Sequence, residues 1–269
     1  MLKILVIGAH PDDADVGAGG TAALWMRRGD QVAFISTTNG AAGHHELGAR
    51  ELEARRRDEA RKAGEVLGIS YEVLDAPDGH LEPGLERRLD LIRRIRSFSP
   101  DLILTHRPND YHPDHRSTAT LVHDSAYMVM VPLVCPDTPP LKKNPVIAYF
   151  SDEFTKPCPF TPDVVVDVDP VMESKWAMLD AHASQFYEWL PHVEGLQEAL
   201  PTEPEPRRRW LEKHWGPRFQ AVAHRYRDHL AHNYGADHAA DVEHAEAFEV
   251  SEYGGRPSRA ALCDLFPLR

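Results

Sequence analysis

Residues 2–20, LKILVIGAHPDDADVGAGG, decide the fold. Leu2–Ile7 is apolar apart from Lys3 and carries β-branched residues, and Gly8 bounds it. Such a run predicts a central parallel strand buried on both faces. The polar turn His10-Pro11-Asp12-Asp13 follows, and Gly17–Arg28 then reads as a helix stopped by Gly29.

The same alternation continues outward. Gln31–Ser36 (QVAFIS) reads as a second strand and Thr37–His45 as a loop. Glu46–Leu67 reads as a charged helix closed by Gly68, and Tyr71–Leu74 as a short strand. Leu85, Leu89, Ile92 and Ile95 recur at helical spacing up to Phe98, before Pro100. Asp101–Thr105 (DLILT) is a fourth strand. Four strand-then-helix units in a row predict an α/β, Rossmann-like, mostly parallel sheet with helices on both faces.

The pattern loosens after residue 125. Pro132, Pro136, Pro139, Pro140 and Pro145 mark a surface loop. Val146–Phe150 and Val164–Val168 read as strands, and Pro170–Trp189 as a helix. Pro201–Pro206 reads as a linker, and Arg207–Leu230 as an amphipathic helix. We therefore expect a catalytic domain over 1–190 and a C-terminal helical elaboration over 191–269 packed on it. The aromatic face of that last helix has to dock. It can cover the carboxyl edge of the sheet and gate a pocket, or meet a second copy in a homo-oligomer.

The chain has 269 residues, 42% of them hydrophobic, so it can bury a sizeable core. Lys and Arg number 30 against 42 Asp and Glu, a net charge of −12. The long-range field of so acidic a chain repels nucleic acid and anionic membranes. Cys135, Cys158 and Cys263 are scattered without a CxxC, which suits a reducing, cytoplasmic compartment and excludes a disulfide framework. The first apolar run is too short for a membrane span or a signal core.

His10-Pro11-Asp12-Asp13 follows the first strand, and His112-Pro113-Asp114-His115 comes shortly after the fourth. In a doubly wound sheet of order 3-2-1-4, strands 1 and 4 are neighbours at the switch point, where ligands bind beyond the carboxyl ends. Both clusters then meet in one crevice. Two histidines and one aspartate suit a catalytic zinc with an open position. Of Asp12 and Asp13, one can ligate while the other acts as a general base. Either histidine of the second motif can ligate, leaving the other to polarise an oxyanion. The competing local reading makes the aspartates helix caps and the histidines solvent-facing.

The paired AHPDD and HPDH motifs resemble those of the PIG-L/LmbE-like zinc N-deacetylases, which remove acetyl groups from N-acetylglucosamine-type sugars and their conjugates. Thr38-Asn39-Gly40 with Gly43, Arg56-x-x-Glu59 before Ala63 and Leu67-Gly68, Lys175 with Ala177 and Met178 before His182-x-Ser184-Gln185, and Glu246-Ala247-Phe248 are similar to further stretches of that family. The resemblance implies zinc on His10, Asp13 and His115. It implies Asp12 as general base and His112 as the group that stabilises or protonates the tetrahedral intermediate. Fe²⁺ suits the same donors as well as Zn²⁺. Arg56, Asp110 and Asp114 are candidate substrate contacts, although Arg56 with Glu59 also reads as a surface i,i+3 pair. His44-His45 read as exposed at the rim of the crevice. Among Trp176, Trp189, Trp210 and Trp215, Trp189 is the candidate for touching a ligand. An acetylated amino sugar is the implied small-molecule partner. The competing readings are an amidase of a larger sugar conjugate and a noncatalytic sugar- or nucleotide-binding Rossmann-like protein. Gly17-x-Gly19-Gly20 would be the phosphate signal of the latter.

Overall fold

The computed structural model describes residues 1–197 and 200–268. Strand β1 (Lys3–Gly8) lies between β2 (Gln31–Thr38) and β4 (Leu102–Thr105), parallel to both. Its side chains alternate between two cores. Ile4 and Val6 join Phe34, Leu102, Leu104 and Trp25 on one face, and Leu5 and Ile7 join Ile35, Ile92, Ile103 and Ile147 on the other. Burial on both faces is why the run is apolar throughout rather than alternating.

The sheet has seven strands in the order β3-β2-β1-β4-β5-β7-β6, with β3 Ser70–Ala76, β5 Val146–Phe150, β6 Val164–Asp167 and β7 Ala245–Val250. The first five are parallel, and β7 runs antiparallel to both β5 and β6. The helices of the first half are α1 (Asp13–Arg28), α2 (Ala49–Leu67), α3 (Leu85–Phe98) and α4 (Pro113–Ala126). Gly29 and Gly68 close α1 and α2 in the left-handed conformation, at φ 87° and 69°.

Several boundaries differ from expectation. Helix α1 begins at Asp13 rather than Gly17, because the Asp13 carboxylate folds back to accept Ala9 N–H (2.9 Å) and His10 N–H (2.7 Å). The expected Pro170–Trp189 helix is broken. Helix α5 spans Met172–Ala181, a π-helical turn spans Ser184–Trp189, and α6 is Leu190–Glu194. The Pro201–Pro206 linker is partly helical, since α7 runs Pro204–Arg225 with Pro in its first turn. Helices α8 (Arg227–Tyr234), α9 (Ala236–Asp241) and α10 (Arg259–Leu265) follow.

A division at residue 190 does not describe the molecule. Strand β7 lies beyond it, yet is hydrogen-bonded between β5 and β6, so the C-terminal part completes the sheet as well as packing on it. Trp210, Leu211 and Phe219 of α7 are buried in the chain's own core. The aromatic face that motivated a second copy is thus partly taken up internally. Gly17 and Gly20 are packing glycines. A Cβ at Gly17 would stand 2.8 Å from the Phe150 ring, and one at Gly20 2.8 Å from Val168.

A buried ion pair ties the two parts together. Glu246 of β7 accepts Gly20 N–H (2.9 Å), Thr21 N–H (2.8 Å) and Thr21 Oγ1–H (2.6 Å) from α1, and it pairs with Lys175 of α5. Lys175 Nζ also donates to the carbonyls of Asp15 and Val16 and lies 4.2 Å from the centre of the Phe219 ring. Glu246→Ala would strand the ammonium and two backbone N–H groups. We expect a loss of about 3–5 kcal/mol in stability by urea titration. Lys175→Met should cost less, because the carboxylate keeps its three other donors. A Glu246→Ala midpoint within error of wild type would show the pair to be energetically idle.

Candidate active site

The crevice lies where β1 and β4 end side by side. His10 follows β1, and His112 caps α4 just after β4, so the strand order brings the two motifs together. Donor atoms of three residues converge. His115 Nε2 is 3.2 Å from His10 Nδ1, His10 Nδ1 is 3.4 Å from Asp13 Oδ2, and His115 Nε2 is 3.5 Å from Asp13 Oδ1. For ligand bonds of about 2.0–2.2 Å, tetrahedral donors stand about 3.3–3.6 Å apart. These spacings suit donors around one divalent metal, with Asp13 nearest His10 through Oδ2 and nearest His115 through Oδ1.

The outer nitrogen of His10 is held in the manner of a metal-site histidine, whereas that of His115 has a carboxylate nearby but no hydrogen bond. His10 Nε2 lies 3.2 Å from Asp78 Oδ1 and 3.4 Å from Asp114 Oδ2, and His115 Nδ1 lies 3.1 Å from Asp110 Oδ1. Burial alone would lower the His10 imidazolium, but Asp114, Asp13 and Asp78 outweigh it and raise it well above the ordinary value. Burial likewise pushes Asp13 up, and His115, His106 and His10 pull it well below the usual carboxylate range.

Asp12 sits beside this set. Its Oδ2 is 3.1 Å from Arg56 Nη2. Burial lifts its carboxyl above the ordinary value against the pull of Arg56. His112 accepts Asp114 N–H on Nδ1 (3.2 Å), which fixes the proton on Nε2 of the neutral ring. Burial, then the neighbouring His10 and His115, lower its pKa, favouring that neutral form. His112 is thus a hydrogen-bond donor on the cavity wall.

Other expected residues fall differently. Arg56 is 2% exposed and forms no surface pair with Glu59. It holds Asp12, Gly40 O and Pro11 O, while Glu59 pairs with Arg55 and accepts Ser184 N–H and Oγ–H. Asp110 lines the cavity, with its Oδ1 3.1 Å from His115 Nδ1. Asp114 is a correction. Its carboxylate is fully buried behind His10 and accepts Gly79 N–H (2.7 Å) and Leu81 N–H (3.1 Å), so it does not line the cavity. His44 is likewise not exposed: its side chain is buried against Glu188 at 2.9 Å, with only His45 outside, stacked upon it. Asp78 and His106 were not anticipated. Each follows the carboxyl end of its strand, β3 or β4, and that position was the available signal.

The cavity measures about 980 Å³. It is lined by His10, Asp12, Asp13, His112 and His115 and by the aromatic residues Trp189, Trp215, Phe219 and Tyr226. Trp176 and Trp210 are core residues. Segment 191–244 therefore reaches the pocket through α7.

Comparison with known proteins bears on this arrangement. Residues 5–126, from β1 to the end of α4, match the family model for PIG-L, the GlcNAc-PI de-N-acetylases. That stretch of the chain is similar to a PIG-L domain. Both His/Asp motifs lie inside the PIG-L match, and everything from β5 onward, the α7 wall included, lies outside it. The chain is similar to the diacetylchitobiose deacetylase of Thermococcus kodakarensis, 29% identical over 72% of this chain and 76% of that one. It is also similar to the 4-oxalmesaconate hydratase of Pseudomonas putida, 28% identical over 69% of this chain and 74% of that one. The solved structure of N,N'-diacetylchitobiose deacetylase from Pyrococcus horikoshii superposes with a TM-score of 0.71 at 25% identity, covering 93% of this chain and 84% of that one.

Proposed function

We propose that the protein is a divalent-metal-dependent N-deacetylase that hydrolyses the acetamide of an N-acetylglucosamine-type sugar or conjugate. The observation that carries this reading is the convergence of His10, Asp13 and His115 at ligand spacing with Asp12 and His112 beside them. A Zn²⁺ or Fe²⁺ ion held by the three would supply Lewis acidity toward a water molecule and toward the acetyl carbonyl. Asp12, oriented by Arg56, takes the proton from the attacking water. His112 Nε2–H donates to the carbonyl oxygen as negative charge develops there. Asp12 then returns the proton to the departing amine, so acetate and a free amine leave.

The hydratase relative motivates a second reading, in which the same site adds water across a carbon–carbon double bond of a polycarboxylate. The charge balance favours the first. Asp12, Asp78, Asp110, Asp152, Glu153 and Glu194 line the cavity against Arg56, Arg107, Arg218 and Arg225, of which Arg56, Arg107 and Arg225 are paired with Asp12, Asp152 and Glu153. A neutral acetamido sugar suits such walls better than a polyanion. The deciding experiment incubates metal-reconstituted protein with a panel of N-acetylated amino sugars and with an unsaturated tricarboxylate. Amine release supports deacetylation, and loss of the alkene alone overturns it.

The volume of the cavity and the half-buried Trp189 and Trp215 support a substrate larger than one sugar. Trp215→Ala should raise KM for a bulky conjugate by roughly 3–10-fold, the worth of one aromatic contact, with kcat nearly unchanged. An unaltered KM on every conjugate tested would detach α7 from substrate recognition. Three unpaired cysteines, two of them exposed, support a cytoplasmic setting. Among the described residues no helix is long and apolar enough to cross a membrane.

A further inference from the structure

His106 has no part in the chemistry above, yet it touches two of the three proposed ligands. It follows β4 directly and is buried. Its ring lies nearly parallel to that of His115, with centroids 4.0 Å apart and planes 15° apart, and meets Phe150 edge-on at 5.3 Å. Its Nε2 is 3.2 Å from Asp13 Oδ2, and Ala9 N–H is directed at the same nitrogen from 3.1 Å as well as at Asp13 Oδ2 from 2.9 Å.

The chemistry of these contacts fixes the proton. An ionised carboxylate only accepts, so Nε2 must carry hydrogen; otherwise two lone pairs would face each other at that distance. Ala9 N–H has the nearer Asp13 Oδ2, at 2.9 Å, as its acceptor, and His10 N–H donates to the same oxygen at 2.7 Å. Asp13 Oδ2 therefore receives three donors. The oxygen left free is Oδ1, the one nearest His115 Nε2.

We infer that His106 is a positioning residue for the metal centre: its Nε2–H and the two backbone N–H groups occupy Asp13 Oδ2, so that Oδ1 is presented to the metal, while its ring braces the plane of His115. The inference rests on the assignment of His10, Asp13 and His115 as ligands. Asp13, His106 and His115 also lie close enough together to form a ligand trio of their own. Positioning is favoured because His106 Nε2 is turned to the saturated oxygen and the backbone.

Two variants separate these possibilities. His106→Phe keeps a ring against His115 but removes the donor, and His106→Gln keeps a donor but removes the stack. Zn²⁺ affinity is measured by competition with a chromogenic chelator, stoichiometry by elemental analysis at saturating metal, and integrity of the fold by near-UV circular dichroism. Loss of an outer partner typically weakens metal binding ~10–100-fold. We expect that loss for His106→Phe, a smaller one for His106→Gln, and one ion per chain in both once metal is saturating. If either folded variant binds as tightly as wild type, the contact it removes does not position the site. If both folded variants hold no ion at saturation, His106 is itself a ligand and the inference is overturned. Wild-type protein that binds no ion would instead overturn the metal-site assignment, and this inference with it. Should His106→Phe not fold, His106→Gln alone still distinguishes a weakened site from an unchanged or an abolished one.

Discussion

His115→Ala should leave a folded protein that holds no metal at stoichiometric concentration and releases no measurable amine. His115 occupies the first turn of α4, where Ala is well tolerated, and the Asp114 N–H it neighbours remains bound to His112 Nδ1. Removing its imidazole leaves His10 and Asp13, two donors where a catalytic site typically needs three. The loss in affinity should exceed the ~10–100-fold that removal of an outer-shell partner costs. Metal content by elemental analysis and circular dichroism of the same sample check the result. Full stoichiometry in a folded His115→Ala protein would remove His115 from the ligand set.

The elements that can be read from the sequence are those whose neighbours in space are also set by local pattern. Strand β1 announces itself because both its faces are buried, and the order β3-β2-β1-β4 is the usual one for a doubly wound sheet. That order is enough to bring His10 and His115 together. Strand β7 could not be found this way. Glu246 interrupts its apolar pattern, and its buried charge makes sense only beside Lys175 and the start of α1. The break after α5 is equally non-local, because Ser184 N–H and Oγ–H are claimed by Glu59 from α2. Asp114 was misread for a related reason. Its motif places it next to the ligands, but only the loop carrying Gly79 and Leu81 shows that its carboxylate is closed off from the cavity.

Asp12→Asn should separate chemistry from metal binding. The amide has the shape of the carboxylate, and its oxygen can still accept from Arg56 Nη2, now 3.1 Å from Asp12 Oδ2. Arg56 is also held by Pro11 O and Gly40 O, so it stays in place when the charge opposite it is lost. The turn itself rests on Asp13 and on backbone bonds from Asp12 N–H and Asp13 N–H to His10 O, which the substitution leaves intact. What Asn cannot do is accept a proton from water or return one to the amine. General acid–base assistance is typically worth ~10²–10⁴-fold, and kcat should fall by that factor with metal stoichiometry and KM little changed. Asp78 and Asp110, the other carboxylates nearest the ligands, are engaged with His10 and His115 and so offer no ready substitute. A metal-replete Asp12→Asn enzyme with near-wild-type kcat would mean that the proton leaves by another route, with His112 the first residue to test in its place.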